Sequence, residues 1–432
     1  VVKCLEKEQF LWGVATSSYQ IEGGVNADGR TPSIWDTFAK TPGKVVNGDN
    51  GDIACDHYHR YQEDVRLMKD LGINSYRFSV AWPRIFPEKG KYNPKGLDFY
   101  KRLIEKLLEN NIKPMATIYH WDLPQWADDL GGWLKRDVTN WYLEYAAKLF
   151  RELGDVVPLW ITHNEPWCAS MLGYFLGEHA PGHKDLREGL IASHNLLLSH
   201  GLTVEAFRQM NLKNSQIGIT LNLQPAYPAS EKEEDVMAAR LFDGFFNRWF
   251  LDPLFKARYP KDMLTLYSNV IGKLDFIKEE DLEKISLPID FLGVNYYTRT
   301  ILKYNPLSPM MVEQVQGTGK VTDMGWEVYP EGLYQLLKRL QSDYTKMPIY
   351  VTENGAAFPD QLSSENIVHD TERINFLQEH LAASLRFRNE GGNLKGYYVW
   401  SFLDNFEWAY GYSKRIRDYL CRLCNAKKDT KG

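Results

Sequence analysis

Eight short apolar runs recur along the 432 residues, with amphipathic stretches between most of them. The runs lie around Phe10 to Ser17, Ser75 to Trp82, Pro114 to Trp121, Pro158 to His163, Ile217 to Leu223, Phe291 to Tyr297, Pro348 to Thr352 and Gly396 to Phe402. Short, near-continuous apolar runs of this kind suit strands buried on both faces. Between them, His57 to Leu71, Leu97 to Leu108, Val138 to Leu153, Leu186 to Phe207, Val236 to Phe250, Gly332 to Leu340 and Glu372 to Phe387 read as amphipathic helices. Strand and helix in alternation require parallel strands joined by crossovers. Eight such units without a low-complexity linker predict an α/β fold, one closed (β/α)8 barrel over residues 1–432, rather than an open doubly wound sheet. No phosphate-binding glycine loop follows the first run, because Gly23-Gly24 comes too late and lacks the spacing.

Composition removes several functional classes. A net charge of −5, with Lys and Arg spread along the chain until its last residues, provides no footprint for a polyanion, so nucleic acid is not expected as a partner. No apolar run approaches the roughly 20 residues of a membrane-spanning helix, and no membrane partner is expected. Five scattered cysteines make no disulfide framework. With no apolar signal stretch at the start, they point to a reducing, cytoplasmic setting. Self-association is left open. Aromatic residues are abundant, with 13 Trp, 25 Tyr and 20 Phe, many at the ends of the predicted strands. Most aromatic side chains serve as core, yet rings at a barrel mouth also stack on sugar faces.

In such barrels chemistry sits at the carboxyl ends of the strands. The polar residues fall there: Gln20 and Glu22 after the first strand, His120-Trp121-Asp122 after the third, Asn164-Glu165 after the fourth, Asn295-Tyr296-Tyr297 after the sixth, Glu353-Asn354 after the seventh, and Trp400 with Asn405-Phe406-Glu407-Trp408 after the eighth. A lone Glu after a strand is usually a loop residue or a helix cap. Two, each ending a buried strand and each beside an Asn, suggest the carboxyl pair that glycosidic-bond cleavage needs. The histidines of Asp56-His57-Tyr58-His59 are two apart at a helix start and do not face one way, so a structural role is expected there. His194 and His200 are read in the same way, and no metal site is expected.

The segments Thr162-His163-Asn164-Glu165-Pro166 and Thr352-Glu353-Asn354-Gly355, the opening from Phe10 to Gly23 and Asp404-Asn405-Phe406-Glu407-Trp408 together resemble glycoside hydrolase family 1, the β-glucosidase family, from about Phe10 to Arg415. The resemblance implies a retaining β-glucosidase with no metal or organic cofactor, Glu165 as general acid/base and Glu353 as nucleophile. Retention places the two carboxyls about 5 to 5.5 Å apart. Arg77 and Tyr296 are expected to keep Glu353 ionised, while burial and the charge of Glu353 raise Glu165. The resemblance further implies Asn164 on the sugar 2-hydroxyl, Gln20, His120, Glu407 and Trp408 on the outer hydroxyls, Trp400 as stacking floor, and Trp121 and Asn295 at the same site. Cys168, Leu172, Phe175, His179 and Trp326 are candidates by position for the aglycone. A carboxylate at Glu407 is expected to repel a 6-phosphate, which family members acting on phosphorylated sugars hold with a small polar residue and a downstream basic partner. A sugar-binding protein without turnover is the alternative of another class.

Residues 416–432 depart from the family. The eighth helix is missing from the pattern, and Cys421-x-x-Cys424 lacks a second ligand pair. Back-translated with chosen codons, the segment reads FGIIYVDYATQKKIPK one base out of phase, a family-like continuation. A one-base frameshift near codon 416 is therefore expected, and sequencing the encoding DNA tests it.

Overall fold

The computed structural model describes residues 9–308, 311–359 and 369–415. Its eight barrel strands are β1 (Leu11–Ala15), β2 (Ser75–Ser79), β3 (Lys113–Tyr119), β4 (Leu159–Asn164), β5 (Gln216–Asn222), β6 (Phe291–Asn295), β7 (Ile349–Asn354) and β8 (Leu394–Trp400). They pair in parallel in chain order, and β8 closes on β1. The crossover helices are α1 (His57–Asp70), α2 (Pro94–Glu109), α3 (Val138–Leu153), α4 (Leu186–Met210), α5 (Glu233–Asp243), α6 (Pro330–Asp343) and α7 (Thr371–Asn389). Local chemistry sets where they begin. Pro94 supplies a preset φ to the first turn of α2, and the Asp185 carboxylate caps α4 by accepting from the Glu188 N–H at 3.0 Å.

Alternation along each strand separates two apolar layers. Leu11, Met115, Leu159, Ile161, Phe291, Tyr350, Tyr398 and Trp400 form one cluster inside the barrel, while Val14, Tyr76, Trp160, Val294 and Val351 face the helices. The closing seam needs a glycine, since a Cβ on Gly13 would lie 2.2 Å from the Tyr398 ring.

Three short strands escaped the sequence pattern: Ala226–Pro228, Thr300–Tyr304 and Val312–Val315 form a small separate sheet. After β8 the helical structure among the described residues is the short turn Trp408–Tyr410, and the outward-facing Trp12 of β1 stays 40% exposed. The tail 416–432, with the expected frameshift and the Cys421-x-x-Cys424 pair, lies outside the described residues.

Candidate active site

Backbone irregularities aim the two glutamates inward. Pairing of β7 with both neighbours shifts register after Val351, so Glu353 turns into the barrel although Thr352 before it already does, a use of bulges common beside active sites. The register of β4 against β5 shifts between Ile161 and Asn164. Glu165 then takes φ 48, donates its N–H to the Thr220 carbonyl at 2.9 Å, and accepts at its own carbonyl from the Ala169 N–H at 3.2 Å. Both glutamates are buried and line one cavity of about 470 Å³ at the carboxyl ends of the strands.

Their partners differ. Glu353 Oε1 accepts from Arg77 Nη1 at 2.6 Å and Oε2 from the Tyr297 hydroxyl at 2.6 Å. Arg77 also donates to the Thr352 carbonyl at 3.0 Å and to Asn164 Oδ1 at 2.5 Å. Glu165 Oε1 accepts from Asn295 Nδ2 at 2.7 Å, and Asn295 is itself held by the Thr352 hydroxyl at 2.7 Å. Burial and the neighbouring charge of Glu353 push Glu165 up to about 8. Burial raises Glu353 too, but the guanidinium and the phenol oppose it. The hydrogen bonds of Arg77 and Tyr297 go to Glu353, so the proton shared by the pair resides on Glu165.

The expectation for Tyr296 is corrected. Phe291, Gly293 and Asn295 point into the barrel, so Tyr296 points out: its ring joins the outer core and its hydroxyl donates to the Tyr329 carbonyl at 2.6 Å. Tyr297, one residue on, returns inward to the nucleophile position. Strand alternation counted from Asn295 is the signal that identifies it.

Around the pair, Asn164 Oδ1 is taken by Arg77 and Asn295, which leaves its N–H group facing His120 Nε2 at 3.1 Å. His120 is thereby assigned as the neutral Nδ1–H tautomer, and burial holds it well below the usual imidazole range. Its Nδ1 lacks a protein partner, and its ring lies nearly parallel to those of Trp400 at 5.6 Å and Trp408 at 6.0 Å. Trp121 ties its indole N–H to the Asn164 carbonyl at 2.9 Å. Glu407 faces the same cavity with one carboxyl oxygen unpartnered, pushed up to about 8 by burial and then by Glu353 and Glu165. Gln20 is fully buried, with its amide donating to Asn405 Oδ1 at 3.1 Å and to the Phe406 carbonyl at 2.8 Å. It fixes the loop that carries Glu407.

Of the aglycone candidates, Cys168, Leu172, His179 and Trp326 line the outer cavity, but Phe175 packs against Phe245 at 6.4 Å and does not. Sequence reading missed Trp167, Asn222, Gln224, Gln314 and Met324 on the same wall. Asn222 ends barrel strand β5, whereas the others come from irregular segments and the small sheet, whose placement no periodicity announces. His57 pairs with Asp64 at 2.7 Å and His59 with Asp56 at 2.6 Å, while His194 contacts Asp281 and His200 contacts Thr162. No cluster able to hold a metal occurs among the described residues.

The arrangement has close counterparts in known proteins. The chain is 55% identical over 413 residues to beta-glucosidase A of Acetivibrio thermocellus, covering 95% of this chain and 92% of that protein. It is 49% identical over 411 residues to the 1,4-beta-D-glucan glucohydrolase of Thermotoga neapolitana, covering 95% and 96%. Among solved structures, a GH1 beta-glucosidase from Exiguobacterium antarcticum B7 superposes with a TM-score of 0.94 at 50% identity, covering 96% of this chain and 93% of that one. The Thermotoga maritima family 1 enzyme in complex with isofagomine lactam superposes with a TM-score of 0.92 at 46% identity, covering 97% and 94%. The sequence profile described as glycosyl hydrolase family 1 matches residues 5–419, and the chain belongs to that family.

Proposed function

We propose that the protein is a retaining β-glucosidase that removes terminal non-reducing β-D-glucosyl residues from β-glucosides and short β-gluco-oligosaccharides. The reading rests above all on one observation: two buried glutamates share a mouth, one bound by a guanidinium and a phenol, the other facing an amide and raised to about 8. Glu353, ionised, attacks the anomeric carbon. Glu165, protonated, gives its proton to the leaving glycosidic oxygen as that bond breaks. Forming the glycosyl ester removes the charge on Glu353 that raised Glu165, so Glu165 becomes acidic enough to act as base and takes a proton from the attacking water. His120, Trp400 and the unpartnered oxygen of Glu407 receive the sugar, with unsatisfied polar atoms for its hydroxyls and an indole face for its ring.

A 6-phosphoglucoside is excluded by the absence of a cation and not by the charge of Glu407. Glu407 at about 8 carries a proton at neutral pH in the free site, so its charge is not the barrier. Among the described residues no Lys or Arg lines the cavity, and the two basic residues downstream are engaged elsewhere, Lys414 with Asp323 and Arg415 with Asp404 at 3.9 Å. A phosphate there finds no cation.

Replacement of Glu353 by Gly should abolish hydrolysis of an aryl β-glucoside, with azide restoring turnover and yielding the α-glucosyl azide. Recovery of the β-azide, or full activity without azide, overturns the assignment. A binding protein without turnover predicts glucose binding by calorimetry and no hydrolysis by the unaltered chain.

A further inference from the structure

The outer wall of the cavity depends on a turn that the barrel itself does not hold. Met324 and Trp326 lie on the turn Thr322–Trp326, closed by the Thr322 N–H donating to the Trp326 carbonyl at 2.8 Å. The Trp326 ring packs on Tyr297 at 5.3 Å, and Tyr297 donates to Glu353. At its base the loop is fixed by Glu327, which takes a two-point ion pair from Arg299 at 2.7 and 3.1 Å. At its tip two attachments occur. The Asp323 N–H donates to the Ala357 carbonyl at 2.8 Å, and Lys414, from the segment after β8, one strand beyond β7 in the barrel order, donates to the Asp323 carbonyl at 2.7 Å with its ammonium 3.2 Å from Asp323 Oδ2. Side-chain exposures of 21% for Lys414 and 35% for Asp323 make this a half-sheltered contact, so some of its strength survives screening. Lys414 also stands 5.9 Å from the ring of Tyr410, another residue of the cavity wall.

We propose that Lys414 is a positioning residue for the leaving-group side of the site. It clasps the 322–326 turn over the end of β7 and sets Trp326 and Met324 against the aglycone, without touching the group being cleaved. The clasp joins the segment after β8 to the loop after β6. A lysine suits this task because one ammonium reaches a carbonyl and a carboxylate together. Loss of the contact leaves the turn tip on the Asp323–Ala357 backbone bond alone, with the Glu327–Arg299 base, Arg77 and the Tyr297–Glu353 bond in place. The effect should therefore fall on binding of the leaving group and not on the glycone chemistry.

The kinetic arm of the test rests on the β-glucosidase reading. K414M, K414R and the unaltered protein are compared on cellobiose, on an aryl β-glucoside and on β-glucosyl fluoride, whose leaving group has no aglycone to bind. In K414M, KM for the first two should rise roughly three- to tenfold, with kcat and the fluoride constants unchanged, and K414R should recover most of the loss. Equal changes on all three substrates, or none, overturn the clasp. Absence of hydrolysis by the unaltered protein refutes the functional reading separately. Hydrogen exchange decides the clasp without turnover: amides of Thr322 and Trp326 should exchange faster in K414M while those of β6 and β7 do not. Unchanged exchange at the turn refutes it.

Discussion

The contrast between adjacent tyrosines gives the sharpest check on the site geometry. Tyr297→Phe deletes one hydroxyl, the donor 2.6 Å from Glu353 Oε2, in a part-buried setting where the acceptor carries charge. A hydrogen bond to a charged group is worth about 1.5–3 kcal/mol, which converts to about a 10- to 150-fold loss of kcat/KM at one factor of ten per 1.36 kcal/mol. The pH dependence carries a sign. The phenol lowers the Glu353 carboxyl, so its removal raises that group. The reaction needs Glu353 ionised, and the acid limb of kcat/KM must move to higher pH. Tyr296→Phe deletes a hydroxyl whose partner is the Tyr329 carbonyl outside the barrel. It should cost about 1 kcal/mol of stability and leave the pH profile in place. Steady-state kinetics on an aryl β-glucoside from pH 4 to 9, with a thermal melt of each variant, measures both. An unshifted acid limb in Tyr297→Phe, or a shifted one in Tyr296→Phe, would falsify the reading of β6.

Two further outcomes follow from the charges at the mouth. Glu165 must be protonated to assist departure and titrates at about 8 in the free protein, so kcat/KM should fall as pH rises through about 8. Glu353→Gln removes the negative neighbour and should bring Glu165 down, read by carbon NMR of the carboxyl; an unchanged titration shows that the coupling is absent. A panel of glucoside, galactoside and 6-phosphoglucoside should give strong, reduced and negligible rates in that order, because no Lys or Arg among the described residues faces the cavity. Comparable turnover of the phosphorylated sugar contradicts that wall.

The barrel was legible in the sequence because its signal is periodic. All eight strand positions and most crossover helices follow from apolar spacing, with ends displaced by a few residues, as for α2, expected over Leu97 to Leu108 and observed over Pro94–Glu109. The glutamates were legible because each ends a buried strand beside Asn. Phase information was lost where strands end: Tyr296 and Tyr297 carry the same side chain, and only counting inward residues from Asn295 separates them. Gln20 enters through the family resemblance, and what the residue pattern could not show is that its amide also holds the loop below Glu407. The small sheet and the turn with Trp326 stayed hidden, since strands as short as Ala226–Pro228 have too few residues for a period.

The same strand ends store backbone strain. Trp121, Glu165 and Trp408 occupy the left-handed region at φ 75, 48 and 47, each at the mouth. For Glu165 the conformation is pinned from both sides by the bonds to Thr220 and Ala169, and it is what turns the carboxyl toward Asn295. A Cβ in this region costs roughly 1–2 kcal/mol, whereas the greater freedom of glycine stabilises the unfolded chain by about 0.4–1 kcal/mol. Glu165→Gly should therefore melt above Glu165→Ala, by about 1–2 °C for a chain of this size, although neither retains the acid. Both lose the same carboxyl and the same bond to Asn295, so the comparison isolates the backbone. If the alanine variant melts at the same temperature or higher, φ at 165 is not strained in the folded protein and the carboxyl is oriented by its side-chain partners alone.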